Sequence, residues 1–450
     1  MGQPVPVTPI AEDTYLARPF GFLEYVRRLR ANKLSVLQPE IFHRNLIYNR
    51  ALFLHSFLVN KPEYIEHVLL GNQPNYVKSQ LYRTFLGPLL GNGLILSEGA
   101  FWRRQRRIEA PAFQVKSIAG FHDTMIAEAE AMAARWQAKQ EAFDISAELM
   151  RYTLIVIART MFSKDVTDEV EPVLQAVDQI AAQSVSLFDI LGFPRWFPRR
   201  YSKRRRAAVE RFDALIARVI AERRDQGLDL GDLLSMLLAA RDPETGEGMS
   251  DKQVRDEILT IFLAGNETTA IALTWTFYLL AQHPEVEAKL QAELEEVLGG
   301  RAPTFPDLGA LKYTRRVLEE AMRLYPPVHQ ISRTAVKEDW IGGVRIPRGA
   351  RICINLYVTH RNPNLWQEPD RFDPERFTPE ATAKRHRFAY LPFGGGPHIC
   401  IGYGYAMAEM QVVLATIAQR CRLRLAPGHE VKPLGLVTLR PKDGVWVTSQ

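Results

Sequence analysis

The sequence predicts a mainly α protein with small β-sheets set among its helices, and three observations predict it. From about Lys116 to Ala240, apolar residues recur at three- and four-residue spacing, the pattern of amphipathic helices. A further stretch, from Ser250 to the stop at His283-Pro284, reads as one helix of about 32 residues, roughly 48 Å long. β-Branched runs between glycine and proline turns come in short blocks, "DWIGGVRIPRGARICINLYVTH" and the segment after Pro427. The 450 residues are 46% hydrophobic and 24% charged, ordinary for a large core, and no Ser/Gly-rich linker or repeat divides them. Residues 1–450 are expected to form a single domain, with a β-rich N-terminal portion at about 1–70.

Taken in order, the opening "MGQPVPVTPIAEDTYLARPFGF" has no basic region followed by an apolar run, so neither a signal peptide nor a membrane anchor is expected. Gly2 lacks Ser or Thr at position 6, so the myristoylation pattern fails as well. The three cysteines, Cys353, Cys400 and Cys421, are too few and odd in number for a disulfide framework. A cytoplasmic, reducing location follows as the expectation. "RALFLHSFLVNKPEYIEHVLL" reads as a hairpin turning at Asn60-Lys61-Pro62, followed by a helix. The helical stretch 116–240 is broken at Gly192-Phe193-Pro194 and near Gly227.

With 57 Lys+Arg against 51 Asp+Glu, the net charge is +6, and the cations cluster at Trp102–Arg107 and at Arg195–Arg206. Neither cluster lies in a helix-turn-helix, zinc-finger or RNA-binding pattern, so no nucleic-acid partner is expected. "FPRWFPRR", from Phe193, mixes aromatics with cations as interfacial segments do, which predicts at most a peripheral membrane contact.

The long helix starts with a capping box, Ser250 with Gln253. It is apolar from Ile258 to Ala281 apart from "AGNETT", Ala264 to Thr269. Polar groups in mid-span exclude a transmembrane role, so the helix is expected to cross the core. Gly265 weakens the helix by about 1 kcal/mol, and Thr268 can divert a carbonyl. Either this is a kink made for packing, or the turn opens for a ligand with Glu267 and Thr268 beside it as proton donors or relays.

In "LPFGGGPHICIGYGYAMAEM" three glycines and Pro397 precede Cys400, and a helix follows it. The sulfur is thus placed at a helix N-terminus, which favours a thiolate, and the glycines let a large flat group approach the backbone. A structural buried cysteine is the alternative. Zinc is not supported, because neither Cys353 nor Cys421 stands at ligand spacing. One thiolate on iron, with a macrocycle filling other positions, needs a single cysteine.

These residues resemble the cytochromes P450. Phe393 to Gly402 is similar to the family's haem-binding loop, which makes Cys400 the proximal iron ligand. "AGNETT" resembles the family's oxygen-binding motif, with Glu267 as acid and Thr268 as hydroxyl. "EAMR", holding Glu320 and Arg323, and "DPERF", holding Arg376, resemble its structural ion-pair network. Trp102 and Arg106 match a Trp-x-x-x-Arg helix that meets one haem propionate, and Arg333 matches a strand arginine that meets the other. Where most members carry Arg two residues before the cysteine, this chain has His398, able to donate a hydrogen bond but with a charge dependent on pH.

The resemblance implies a P450 fold, with the long helix over the haem, and a monooxygenase that activates O2 on haem b. Its lipophilic substrate would lie against Ala264, Gly265, Val328 and Ile331, with Phe85, Leu86, Leu89, Leu90 and helices around Ser184 to Phe193 as further walls. The chain has no flavin or nicotinamide fingerprint and no iron–sulfur cysteine cluster. Electrons would come ultimately from NAD(P)H through an acidic ferredoxin or flavodoxin and its reductase, docking on Arg103, Arg104 and Arg107. The alternatives are a haem-thiolate peroxygenase or isomerase, for which the acid–hydroxyl pair is superfluous, and a non-enzymatic haem sensor.

Overall fold

A computed structural model describes residues 14–16, 22–51, 54–164 and 203–450 of the chain. Its axis is the central helix Asp251–Leu280, thirty residues capped by Ser250, whose hydroxyl accepts the Gln253 N–H while Gln253 caps the Ser250 N–H. This reciprocal cap satisfies two backbone donors that a helix start leaves open. Ile258, Leu259, Phe262, Leu273 and Trp275 are buried along it, because a helix apolar on all sides is stable only when covered on all sides. It packs against helix Ile145–Phe162 and, less extensively, against Lys312–Leu324 and Tyr403–Arg420. It is the one described helix long and apolar enough to cross a bilayer, and 72% of that stretch is buried within the protein.

Six strands form the largest sheet, in the order Thr14–Leu16, Leu46–Ala51, Leu54–Val59, Arg351–Asn355, Gln330–Ala335, Tyr76–Lys78. One expectation needs correction here. The strands Leu46–Ala51 and Leu54–Val59 pair with Ala51 opposite Leu54 and Leu46 opposite Val59, so the hairpin is not centred on Asn60-Lys61-Pro62. Pro62 instead opens the short helix Pro62–Glu66, where its fixed φ fits and its missing N–H costs nothing. Three strands of this sheet, Thr14–Leu16, Leu46–Ala51 and Leu54–Val59, lie within 1–70 beside helix Phe22–Ala31, and the other three, Tyr76–Lys78, Gln330–Ala335 and Arg351–Asn355, come from beyond it.

The predicted block from Asp339 is a hairpin, Asp339–Ile341 with Val344–Ile346, turned by Gly342 and Gly343 at φ 56° and 77°. Two left-handed residues suit the right-handed twist of the strands. After Pro427, strand Pro433–Gly435 pairs with Leu439–Pro441. Hydrogen bonds from other elements hold this 433–441 hairpin: Trp275 Nε1 donates to the Leu439 carbonyl at 2.8 Å, the Leu439 N–H to Pro327 at 2.8 Å, Asn32 Nδ2 to Pro433 at 2.9 Å, and the Gly435 N–H to Asn32 Oδ1 at 2.9 Å. Of the basic aromatic segment, residues 193–202 lie outside the described residues, as do the expected walls at Ser184 to Phe193 and the break at Gly192.

Candidate functional site

Cys400 ends an irregular loop and stands three residues before helix Tyr403–Arg420. Gly394 and Gly396 take φ 75° and 67°, and a Cβ on Gly396 would collide with the Leu69 carbonyl oxygen. The turn is closed by the Cys400 N–H donating to Phe393 O at 2.9 Å, and the Phe393 ring meets Tyr403 edge-on, centroids 4.8 Å apart. Cys353, Cys400 and Cys421 are all free, and Cys400 is the exposed one. Although the residue is accessible, protein crowds the sulfur enough that burial raises its thiol pKa, against the Gly402 N–H and the Arg106 guanidinium, which lower it. The helix start thus acts in the expected direction but does not outweigh burial.

Four basic side chains gather beside this loop. Trp102, 8% exposed, lies over the His398 ring with centroids 3.9 Å apart, and Lys78 Nζ stands 5.9 Å from the Trp102 ring. Arg106 Nη1 donates to Ile399 O at 2.8 Å. Arg333, 8% exposed, reaches the Ser332 carbonyl and pairs in strand register with Lys78. Burial lowers the pKa of each: Lys78 to about 7, His398 to about 3 with the charges of Lys78, Arg333 and Arg106 adding to the effect, and Arg106 and Arg333 below their usual values. Its protein neighbours alone thus favour the neutral form of His398.

Glu98 reaches this group, 3.9 Å from His398 Nε2, which also meets Gln73 Nε2 at 3.0 Å, while Glu109 acts on Arg106 and Glu257 on Lys78. The Nδ1 of His398 is buried without a partner. Two arginines and a lysine drawn in from water, an orphaned imidazole nitrogen and side-chain-free glycines beside an accessible sulfur together fit a flat group carrying two carboxylates and one metal, as haem does. Lys78 and Gln73 escaped sequence reasoning because only the strand pairing and the turn Gln73–Asn75 bring them here.

On the central helix the Thr268 hydroxyl donates to Ala264 O at 2.6 Å, and the turn stays helical. Gly265 lies against the neighbouring helix, where a Cβ would approach Ile157 Cδ1 to 3.5 Å. The adjacent Asn266 is fixed by Thr153, whose hydroxyl donates to it at 2.7 Å. Glu267 points to the 433–441 hairpin: the Thr438 hydroxyl donates to Oε1 at 2.6 Å, and Arg440 Nη1 stands 3.8 Å from the same oxygen. Neither hairpin residue carries a local sequence signal.

Of the expected pocket residues, Ala264, Gly265 and Ile331 are half-buried and Val328 is 38% exposed. Ile331 Cδ1 would be 3.8 Å from a Cβ on Gly394, which ties this strand to the cysteine loop. Leu86 is half-buried, whereas Leu89 and Leu90, each 1% exposed, belong to the main core and are not accessible walls. The Phe85 side chain is outside the described residues.

The ion-pair residues meet in the core. Glu320 and Arg323 form a two-pronged pair at 2.6 and 2.8 Å, and Arg376 Nε lies 3.4 Å from Glu320. The expected cationic docking face, by contrast, is partly covered. Arg107 makes two bonds of 3.2 Å to Asp242 and one of 2.8 Å to Glu244, while Arg104 reaches Gly248 O at 2.8 Å and Glu247 at 3.5 Å. Arg103 alone of the three is exposed.

Comparison with known proteins agrees with this arrangement. A family model described as Cytochrome P450 matches residues 49–445. Cyclooctatin synthase of Streptomyces melanosporofaciens is 41% identical over 381 residues, 84% of this chain and 82% of that one. Cyclooctat-9-en-7-ol 5-monooxygenase of the same organism is 37% identical over 438 residues, 94% of each chain. The crystal structure of the cytochrome P450DA heme domain superposes with a TM-score of 0.85 at 27% identity, covering 97% of both chains.

Proposed function

The chain belongs to the cytochrome P450 family, haem-iron oxidoreductases that use O2, and from that premise we propose that it inserts one oxygen atom into a lipophilic, terpenoid-like substrate. Hydroxylation or epoxidation would be the outcome. The carrying observation is the accessible Cys400 sulfur with Arg106, Arg333, Lys78 and the orphaned His398 Nδ1 gathered beside its loop. Support for the substrate class comes from the relative whose name is an oxidation of cyclooctat-9-en-7-ol at position 5.

In this reading the prosthetic group is haem b, and thiolate-ligated haem supplies oxygen activation when bound. Cys400 would be its one protein ligand, giving up the proton that burial otherwise holds on the sulfur. Arg106, Arg333, Lys78 and His398 would hold the two propionates, with Trp102 bracing the His398 ring. Phe393, packed on Tyr403, would help shield the sulfur on the loop side once the group is bound.

On the central helix the Thr268 hydroxyl donates to Ala264 O, so its oxygen would be left to accept a hydrogen bond from the reacting side. Glu267, one residue earlier, supplies the carboxyl from which protons are replaced. Val328, Ile331, Ala264 and Gly265 offer apolar surface that orients the substrate without polar anchors. Electrons would reach the site from NAD(P)H through a separate reductase and an acidic ferredoxin or flavodoxin, in the cytoplasm.

The decisive experiment is the absorption spectrum of the reduced, carbon monoxide-bound protein. The parent should give the red-shifted Soret band of thiolate ligation, and Cys400→Ser and Cys400→His should lose both the band and oxygenation. A histidine-type spectrum in the parent, or full activity in either variant, would refute the reading.

A further inference from the structure

We propose that Thr438 is a positioning residue for Glu267: the 433–441 hairpin grips that carboxylate and so sets how readily it supplies protons. The inference rests on the monooxygenase reading above, in which Glu267 feeds the Thr268 hydroxyl.

Three residues in a row on the central helix have their side chains tied, and each is tied differently. Asn266 is bound by Thr153 of the neighbouring helix, and Thr268 by Ala264 of its own. Glu267 is bound by a segment about 170 residues away in sequence. The Thr438 hydroxyl donates to it at 2.6 Å, the range of strong bonds to an ionised acceptor, and Arg440 adds a positive charge 3.8 Å from the same oxygen.

Thr438 is itself held firmly. It is 6% exposed, its carbonyl accepts the Leu436 N–H at 2.9 Å across the hairpin tip, and its neighbour Leu439 is fully buried. Leu439 is locked to Trp275, two turns along the same central helix, and to Pro327. The hydroxyl therefore sits on a rigid mount whose position relative to residue 267 is set by residue 275. A carboxylate with a hydroxyl donor and a guanidinium stays ionised more readily, and turns toward a new acceptor only by giving up those partners. The grip is a threshold on proton supply, and coupling of this kind is reciprocal: if the hairpin holds Glu267, Glu267 must hold the hairpin.

The test compares Thr438→Val, which keeps the shape and removes the hydroxyl, with Thr438→Ser, which restores it. Two readouts need no turnover. The carboxylate infrared band of Glu267, in protein carrying ¹³C-labelled glutamate and assigned by subtraction of Glu267→Gln, should shift in Thr438→Val and return in Thr438→Ser. Amide hydrogen exchange in the hairpin should quicken by about tenfold in both Thr438→Val and Glu267→Gln, the factor corresponding to one lost hydrogen bond to a charged group.

In turnover, Thr438→Val should keep the thiolate carbon monoxide band yet change the share of electrons that leave as hydrogen peroxide, each peroxide taking one O2, two electrons and two protons. Thr438→Ser should return that share to the parent value. An infrared band unmoved in Thr438→Val, or moved and not restored by Thr438→Ser, overturns the assignment. Absence of the thiolate band in the parent would refute the monooxygenase reading instead, and the infrared and exchange results would still decide whether the hairpin grips Glu267.

Discussion

Arg323 donates five hydrogen bonds from a side chain with no exposed surface: two to Glu320 and one each to the carbonyls of His360, Pro369 and Arg371. The planar fork of guanidinium fits this set, and lysine, with three donors on one nitrogen, does not. Arg323→Lys should therefore leave buried acceptors unmet and lower stability by about 3 kcal/mol, read as a drop in Tm of the haem-loaded protein. A Tm equal to the parent's would mean that the segment 360–371 is held by other contacts. At this scale the site is legible where chemistry is local: Cys400 with its glycines, and Glu320 three residues from Arg323. Lys78, Gln73, Thr438 and Arg440 are illegible, because strand register and hairpin packing bring them in and no spacing in the chain encodes either.

The helix Gly99–Glu109 meets the central helix through two facing carboxyls. Glu109 is fully buried with no donor to either oxygen, while Glu257, also fully buried, accepts the Leu94 N–H at 2.8 Å and Gln105 Nε2 at 3.3 Å. Burial pushes both acids up, and the charge of Glu257 pushes Glu109 further, so the pair retains a proton that the unfolded chain loses. The native state then binds more protons than the unfolded one, and stability must fall as pH rises from the ordinary glutamate range through the raised values. Calorimetry between about pH 5 and about pH 8 should show Tm declining with pH, and Glu109→Gln should flatten that decline by keeping a donor without a charge. Parallel curves for variant and parent would clear the pair of responsibility. Elements themselves are legible in proportion to how local their signals are. The central helix carries its own cap in Ser250 and Gln253, whereas the first hairpin is misplaced because proline marks a turn and a helix start equally well.

For the whole molecule, the open matter is where an acidic electron donor would approach. A net charge of +6 draws such a partner at long range, and on the proposed reading the side of Cys400 away from the central helix would be left free by O2 and substrate. The basic helix lies on that loop through Arg106, yet two of its outer cations are neutralised by the turn at residues 242–247. Asp242 is fully buried under them, while Glu244 and Glu247 remain 66% and 73% exposed. The turn presents to Arg104 and Arg107 the carboxylates an acidic partner would offer, so it competes with the partner for the same charges. Removing only the exposed acids, Glu244→Gln with Glu247→Gln, leaves the buried Asp242 clasp intact and uncovers positive potential. Reduction by an acidic ferredoxin should then quicken at low ionic strength and fall more steeply with salt than in the parent, since such attraction is screened over about 8 Å at physiological ionic strength. Arg103→Gln should do the reverse, and neither change should alter the carbon monoxide spectrum. Equal reduction rates for all three proteins across a salt series would place the docking face elsewhere and leave the turn as a brace for the start of the central helix.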